Sequence, residues 1–481
     1  MTSFVIALAV LIGGYFVYGA IAERVFGVEP SRPTPAIEKA DGVDFTPMPT
    51  WKVFLIQFLN IAGLGPIFGA IMGVMFGPAA FLWIVLGTIF GGSVHDFISA
   101  MMSVRSGGMS LPELVGHELG PVARQIMRVV SVLLLVLVGA VFVLTPAGLL
   151  DGMTPAWAGV NFWIAVIFIY YIIATLLPID KLIGRFYPVF GFALLFMACG
   201  LLWVLLFGGY DIPTGFGDGL STRYADADSH PVFPMMFVSI ACGAISGFHA
   251  TQSPMMARCL KNEKLARPVF YGAMVAEGIV ALIWAAAAIT FTGGYAELGE
   301  YFGAGHTAGD LVHDISVGWL GTFGGILAIL GVVAAPITTG DTALRSARLI
   351  VADFLGVDQQ PIVRRILVSL PLFAVAFGLM LIDFNVLWRY FAWINQTLAA
   401  ITLWACTVYL ARHGKAYVIC LVPAVFMTVV VTTYILFAPS PEGFGLPISI
   451  SVGSGVLLAA VGVGLFVRYF RGLSRMEVPV E

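Results

Sequence analysis

Charge is scarce in this sequence: 11% of its 481 residues are charged, where soluble domains carry about 25%. With 59% hydrophobic residues and a mean hydropathy of +0.97, the chain cannot present a water-soluble surface, which excludes an ordinary cytosolic globule. It lacks a basic stripe, so nucleic acid is not an expected partner. Its five cysteines show neither a disulfide framework nor metal-ligand spacing. No Gly-rich phosphate loop ending in Lys is present to suggest nucleotide drive. A His-Glu-x-x-His helix and a Gly-x-Ser-x-Gly elbow are also missing, which counts against the two commonest hydrolase designs.

What the chain has instead is apolar runs. Thirteen are long enough for a hydrocarbon core of about 30 Å: 3–22, 52–75, 78–103, 122–149, 157–177, 186–207, 233–257, 268–291, 316–337, 366–381, 387–410, 416–437 and 448–470. With the N-terminus outside, all but two of the 24 basic residues, Arg223 and Arg389, fall in inside segments, as the positive-inside rule requires. The first run ends in Ala20-Ile21-Ala22, a small-x-small sequence, but has no basic flank before it and Glu23-Arg24 after it. It is therefore expected to remain as a helix and not to be a cleaved leader. The expected fold is an all-α polytopic membrane protein with about 13 transmembrane helices.

Two of the runs carry Gly/Pro interruptions, at Gln57 to Pro66 and at Cys242 to Pro254. In hydrocarbon every backbone polar group needs a partner, so a broken helix is tolerated only where protein encloses it or a cavity lies beside it. Paired breaks in corresponding halves point to a transporter's substrate site. Runs two to six form one group of five, and runs seven to eleven another, each opening with its broken helix. Five is odd, so the second group enters from the opposite side, giving an inverted repeat. The expected division is 1–51 for an extra N-terminal helix and cytoplasmic linker, 52–209 for the first repeat, 233–410 for the second, and 411–481 for two extra helices and a tail.

The stretches Asn60-Ile61-Ala62-Gly63-Leu64-Gly65-Pro66-Ile67-Phe68-Gly69-Ala70, Gly92-Ser93-Val94-His95-Asp96-Phe97, Leu111-Pro112-Glu113-Leu114 and Cys242-Gly243-Ala244-Ile245-Ser246-Gly247-Phe248-His249 resemble the carbon starvation A (CstA) family of bacterial inner-membrane transporters. The matches run along both repeats. The resemblance implies uptake of peptides in starvation, or of pyruvate with protons, a five-plus-five fold of the LeuT type, and a multi-pass location in the inner membrane with the C-terminus cytoplasmic.

The polar residues placed at membrane depth are the site candidates. Gln57 and Asn60 lie three apart beside the first break, where Gly63 and Gly65 free the backbone and Pro66 removes a donor; close helix packing by small residues is the competing reading. Ser246, His249 and Ser253 share one helical face, with Gly247 at the break and Thr251 and Gln252 beside them. An imidazole there can hold a substrate carboxylate or relay a proton. Asp96, next to His95, and Glu277 sit in apolar stretches, where an ionised carboxylate costs on the order of 3 kcal/mol unless neutral, paired or hydrated. Both are candidates for proton coupling, and a fixed helix-to-helix bond is the alternative.

Thr338, Thr339 and Asp341 offer oxygen ligands for Na⁺, or Thr339 or Asp341 caps a following helix. Asn395, with Gln396, Thr397, Trp388 and Trp393, adds a polar and aromatic wall, unless Trp388 belongs to the interfacial belt. His306, Asp310 and His313 in an outer loop have a spacing that a metal could use, though a solvated acidic loop is the favoured reading. No cofactor is expected beyond H⁺ or Na⁺ as coupling ion, and the partners are a small-molecule substrate and membrane lipid. Two functions follow: a secondary active importer without catalytic residues, or a membrane-embedded metal-dependent hydrolase built on His95, Asp96, His249 and Glu277.

Overall fold

In a computed structural model, residues 1–42, 45–155, 157–176, 179–359 and 361–473 are described, and among them helices and turns account for all regular structure. Leu177, the last residue of the fifth run, and residues 474–481, the end of the expected tail, lie outside the described residues. Among the described residues ten helices are long and apolar enough to cross a membrane, and a bent pair makes an eleventh. Within the fifth run, 157–177, the described helix is Val160–Leu176, and the seventh run is divided by its break into shorter pieces.

That bent pair is the first broken helix, Thr50–Ile61 and Gly65–Phe76, turned by 55°. In the second, a short helical stretch ends at Ser239, residues 240–246 leave helical geometry, and Gly247–Ala257 resumes. The two run antiparallel, and the segments that flank the second join in the pairing. Met48 N donates to Cys259 O at 3.2 Å, Gln57 Nε2 to Ser253 Oγ at 3.4 Å, Tyr224 OH to Met72 O at 3.1 Å, and Arg223 N to Met75 O at 2.9 Å. Between these contacts the breaks face one another. A Cβ on Gly65 would lie 2.2 Å from Cys242 Cβ, so only glycine lets the two backbones approach this closely.

Charge is sorted to the two ends of the bundle. At one end Arg105 donates through Nε and Nη2 to the buried Glu263 at 3.0 and 2.9 Å, Arg258 to Gly108 O at 3.0 Å, and Arg412 to Glu118 at 3.1 Å. The two exceptions of the charge count, Arg223 and Arg389, share the other end, where Arg389 pairs with Glu442 and both lie beside Tyr224. Between the ends the helices bury an apolar core that includes Trp284, Tyr187 and Tyr271, and Gly278 packs against Thr88 so tightly that a Cβ would meet its Oγ1 at 2.6 Å. This close pairing of Ala79–Arg105 with Gly272–Thr292 brings the third and eighth runs together beside the second break.

One expectation changes here. Thr338, Thr339 and Asp341 do not sit at a helix end: Ala334–Leu355 is continuous through them and all three are buried. The helix-cap reading is thus excluded, because interior residues have their backbone N–H groups already bonded within the helix.

Candidate functional site

Asp96 sits where three elements meet. Its Oδ1 accepts from His95 Nδ1 at 2.8 Å, and its Oδ2 from His249 Nδ1 at 2.9 Å. His249 comes from the resumed half of the second broken helix, and on its far side Nε2 lies 3.4 Å from Glu277 Oε2. That spacing is ion-pair range, but the angle makes no hydrogen bond, and neither Glu277 oxygen nor either imidazole Nε2 has a hydrogen-bond partner within the protein. All four side chains are fully buried. The result is a row, Glu277, His249, Asp96, His95, of alternating carboxyl and imidazole groups spanning three helices.

Each member can give or take a proton, and each imidazole that donates from Nδ1 keeps Nε2 as an acceptor. A proton on Glu277 therefore has a receiving nitrogen 3.4 Å away, and beyond it a carboxylate that already binds both rings. Four titratable groups at this depth are costly to insert and mark ion or proton pathways in membrane proteins.

The two breaks are treated differently by their surroundings. At the second, side chains satisfy the freed backbone. Asn395 Oδ1 accepts from Phe248 N at 2.7 Å and from Ser246 Oγ at 3.0 Å, and Gln396 Nε2 donates to Ile245 O at 3.0 Å. Thr88 Oγ1 donates to Gly243 O at 3.1 Å and Trp83 Nε1 to Ile240 O at 3.2 Å. Asn395 thus caps the helix that begins at Gly247, in the manner of an N-cap supplied from another helix. Gly247 is required by contact as well: a Cβ there would lie 2.4 Å from Ala399 N and Asn395 O.

At the first break the side chains are left open. Neither side-chain atom of Asn60 has a hydrogen-bond partner, nor does Gln57 Oε1 or the nearby Gln252 Oε1, although all three residues are fully buried. Ser253 is occupied, its Oγ donating to His249 O at 3.0 Å. Unsatisfied buried amides are rare in native proteins and are met by ordered water, an ion or a ligand.

The remaining candidates are placed as follows. Thr339 Oγ1 reaches Leu59 O at 3.1 Å and Ala335 O at 3.0 Å, beside Gly63. Thr338 Oγ1 turns to Ala335 O at 2.7 Å. Asp341 Oδ2 accepts from Tyr187 OH at 2.9 Å. A cation would find three oxygens at Thr339, Leu59 and Ala335, while of the Asp341 carboxylate Oδ2 is bonded to Tyr187 and Oδ1 has no hydrogen-bond partner within the protein. Trp388 is buried against Phe68 and Phe391 and is not a belt residue. Trp393 donates to Val431 O at 3.0 Å, away from the breaks. In the outer loop His306 stacks on Tyr301, Thr307 N-caps its helix by accepting from Asp310 N while the Asp310 carboxylate accepts from Thr307 N, and His313 faces Asp314. Those three do not converge, and among the described residues no cluster of His, Cys, Asp or Glu is arranged for a metal.

Thr88, Trp83 and Tyr187 were not singled out by the sequence. A lone threonine or tryptophan in an apolar run is commonplace, and only the packing shows that each meets a freed carbonyl or a buried carboxylate.

Cavities flank the row without reaching it. One of about 290 Å³ enters from the basic end, lined by Thr251, Pro254, Met255, Arg258, Ser346 and Asp353 among others. Another of about 70 Å³ lies at the opposite end beside Met72, Phe76, Tyr224 and Trp388. The four residues of the row are fully buried.

A helical membrane bundle with two antiparallel broken helices and a closed polar centre is the class of a transporter. The chain matches "Carbon starvation protein CstA" over residues 1–160, 152–308 and 300–434, and it belongs to that family. It is 26% identical to the peptide transporter CstA of Escherichia coli, covering 89% of this chain and 80% of that one. It is 28% identical to the pyruvate/proton symporter BtsT of the same organism, over 55% and 45%, and 42% identical to an uncharacterized membrane protein of Haemophilus influenzae, over 60% and 91%. Its fold is that of a manganese transporter from Eremococcus coleocola, with a TM-score of 0.56 at 10% identity over 91% of this chain and 99% of that one.

Proposed function

We propose that this protein is a secondary active importer of small nutrients, peptides or pyruvate-like carboxylates, that works by alternating access and is driven by protons. The observation that carries this reading is the fully buried row Glu277, His249, Asp96 and His95 beside two opposed helix breaks. The names of its relatives, a peptide transporter and a pyruvate/proton symporter, agree with it. Substrate sits against the first break, where both amide atoms of Asn60 and the amide oxygens of Gln57 and Gln252 have no hydrogen-bond partner within the protein, and Glu277 and His249 carry the coupling proton. The inverted five-plus-five repeat fits the antiparallel course of the two broken helices. The basic end is the cytoplasmic face, the N-terminus is outside, and the location is a bacterial inner membrane.

Protons are preferred to sodium because the row Glu277, His249, Asp96 and His95 joins four buried titratable groups, and one named relative is a proton symporter. A metal-dependent hydrolase is disfavoured because the named relatives are transporters. The test is uptake of labelled dipeptide and of pyruvate by purified protein in liposomes, with pH and sodium gradients imposed separately. Accumulation driven by sodium alone, or product formation without transport, would overturn the reading.

A further inference from the structure

A groove of about 380 Å³ runs between Pro121–Met153, Ala334–Leu355 and Ile362–Leu379 on the outer surface of the bundle. Its walls are Val, Leu, Ile and Phe side chains, several of them exposed, including Val129, Leu133, Phe354 and Val375. Polar atoms enter it at one place, where Gln125 and Arg128 close its basic end. There Arg128 Nη2 donates to Glu113 Oε1 at 2.5 Å, lies 5.1 Å over the Phe354 ring, and shares the single Glu113 carboxylate with Arg124 at 3.6 Å. Two guanidinium groups on one carboxylate leave a net positive charge at the mouth of an apolar slot.

We propose that this groove binds an anionic phospholipid, its acyl chain along the Val129 to Val136 wall and its phosphate at Arg124 and Arg128. The occupant follows from the setting. The walls lie at membrane depth, where the medium is hydrocarbon, and the charge sits at the end of the bundle that collects the chain's basic residues. Basic pockets between transmembrane helices on that side favour anionic headgroups, and a guanidinium offers a planar pair of donors suited to phosphate oxygens.

The position gives the lipid a consequence. Ile350 lines this groove and also the 290 Å³ cavity that leads toward Thr251 and Met255. One helix, Ala334–Leu355, is thus the wall between lipid and the inner cavity. A chain seated in the groove braces that wall and favours one setting of the cavity.

The test uses the full chain in nanodiscs of phosphatidylglycerol or of phosphatidylcholine, with retained lipid read by native mass spectrometry and stability by thermal unfolding. Phosphatidylglycerol is expected to be retained about tenfold over phosphatidylcholine, the scale set by one to two basic side chains at a membrane surface. The double substitution Arg124→Gln with Arg128→Gln should abolish the preference, and Val132→Trp, which fills the slot and leaves the arginines in place, should abolish retention of either lipid. Equal retention of both lipids by the unaltered protein overturns the proposal. So does a stabilisation by inorganic phosphate alone equal to that of phosphatidylglycerol, which would make this a general anion site. Proteoliposome uptake tests the transport reading separately, because lipid retention is measured without substrate.

Discussion

Replacing Glu277 by Gln removes one proton site and little else. Gln has the same shape, and a small rotation of its side chain turns the amide onto His249 Nε2, which lies 3.4 Å from Glu277 Oε2 and has no hydrogen-bond partner. A buried hydrogen bond gained in that way contributes about 0.5–1.5 kcal/mol, so the unfolding temperature should hold or rise slightly. The loss falls on coupling. One proton descending two pH units carries about 2.7 kcal/mol, which sustains roughly 100-fold accumulation of a neutral solute at one proton per substrate. Without that proton the ratio should fall to about 1, while substrate counterflow between equal pH values continues. The assay is labelled substrate in liposomes, acid outside and neutral inside, with counterflow measured in the same preparation. Gradient-driven accumulation at the unaltered level in the Gln variant would refute the assignment and leave Glu277 with a packing role. Asp96→Ala serves as contrast: it strands two buried imidazole donors, and breaking a buried pair costs about 3–5 kcal/mol, so that variant should lose folded yield as well as transport.

Asn395→Ala should lower stability by about 1–3 kcal/mol, because it leaves Phe248 N and Ser246 Oγ unpaired; Asn60→Ala should leave the unfolding temperature unchanged and weaken substrate affinity, and the reverse pattern would exchange their roles. Gly65→Ala should cost about 1–3 kcal/mol or more through overlap with Cys242, and Cys242→Gly in the same chain should recover most of it; failure of that rescue in a thermal double-mutant cycle would place the strain elsewhere. Met255→Cys, at the floor of the 290 Å³ cavity, should react with a membrane-impermeant thiol reagent from the basic side alone and be protected by substrate. Labelling from the opposite side would reverse the assigned direction.

The antiparallel course of the two broken helices was half legible before any coordinates. Gly63, Gly65 and Pro66 in one run, and Gly243 to Gly247 in the other, announce breaks because glycine and proline act on their own backbone. His95, Asp96, His249 and Glu277 were each conspicuous as polar groups in apolar runs, for the same local reason. Their order in a row was not. Asp96 and His249 are 153 positions apart, and no spacing rule relates residues on different helices.

Asn395 shows the other side of this. As an amide in a membrane run it read as a substrate ligand, but the register of Phe384–Arg412 against the second break aims it at Phe248 N, where it caps a helix. Thr339 and Asp341 read as a helix terminus or an ion site, and the continuous helix through them separates their partners, Leu59 and Tyr187. Hydropathy and backbone freedom are properties of short stretches, so the sequence alone determined the membrane class, the two breaks and the candidate polar groups. Which of those groups face each other depends on how helices slide and rotate against their neighbours. That is set by side-chain packing along the whole bundle, and the tertiary structure alone decided it.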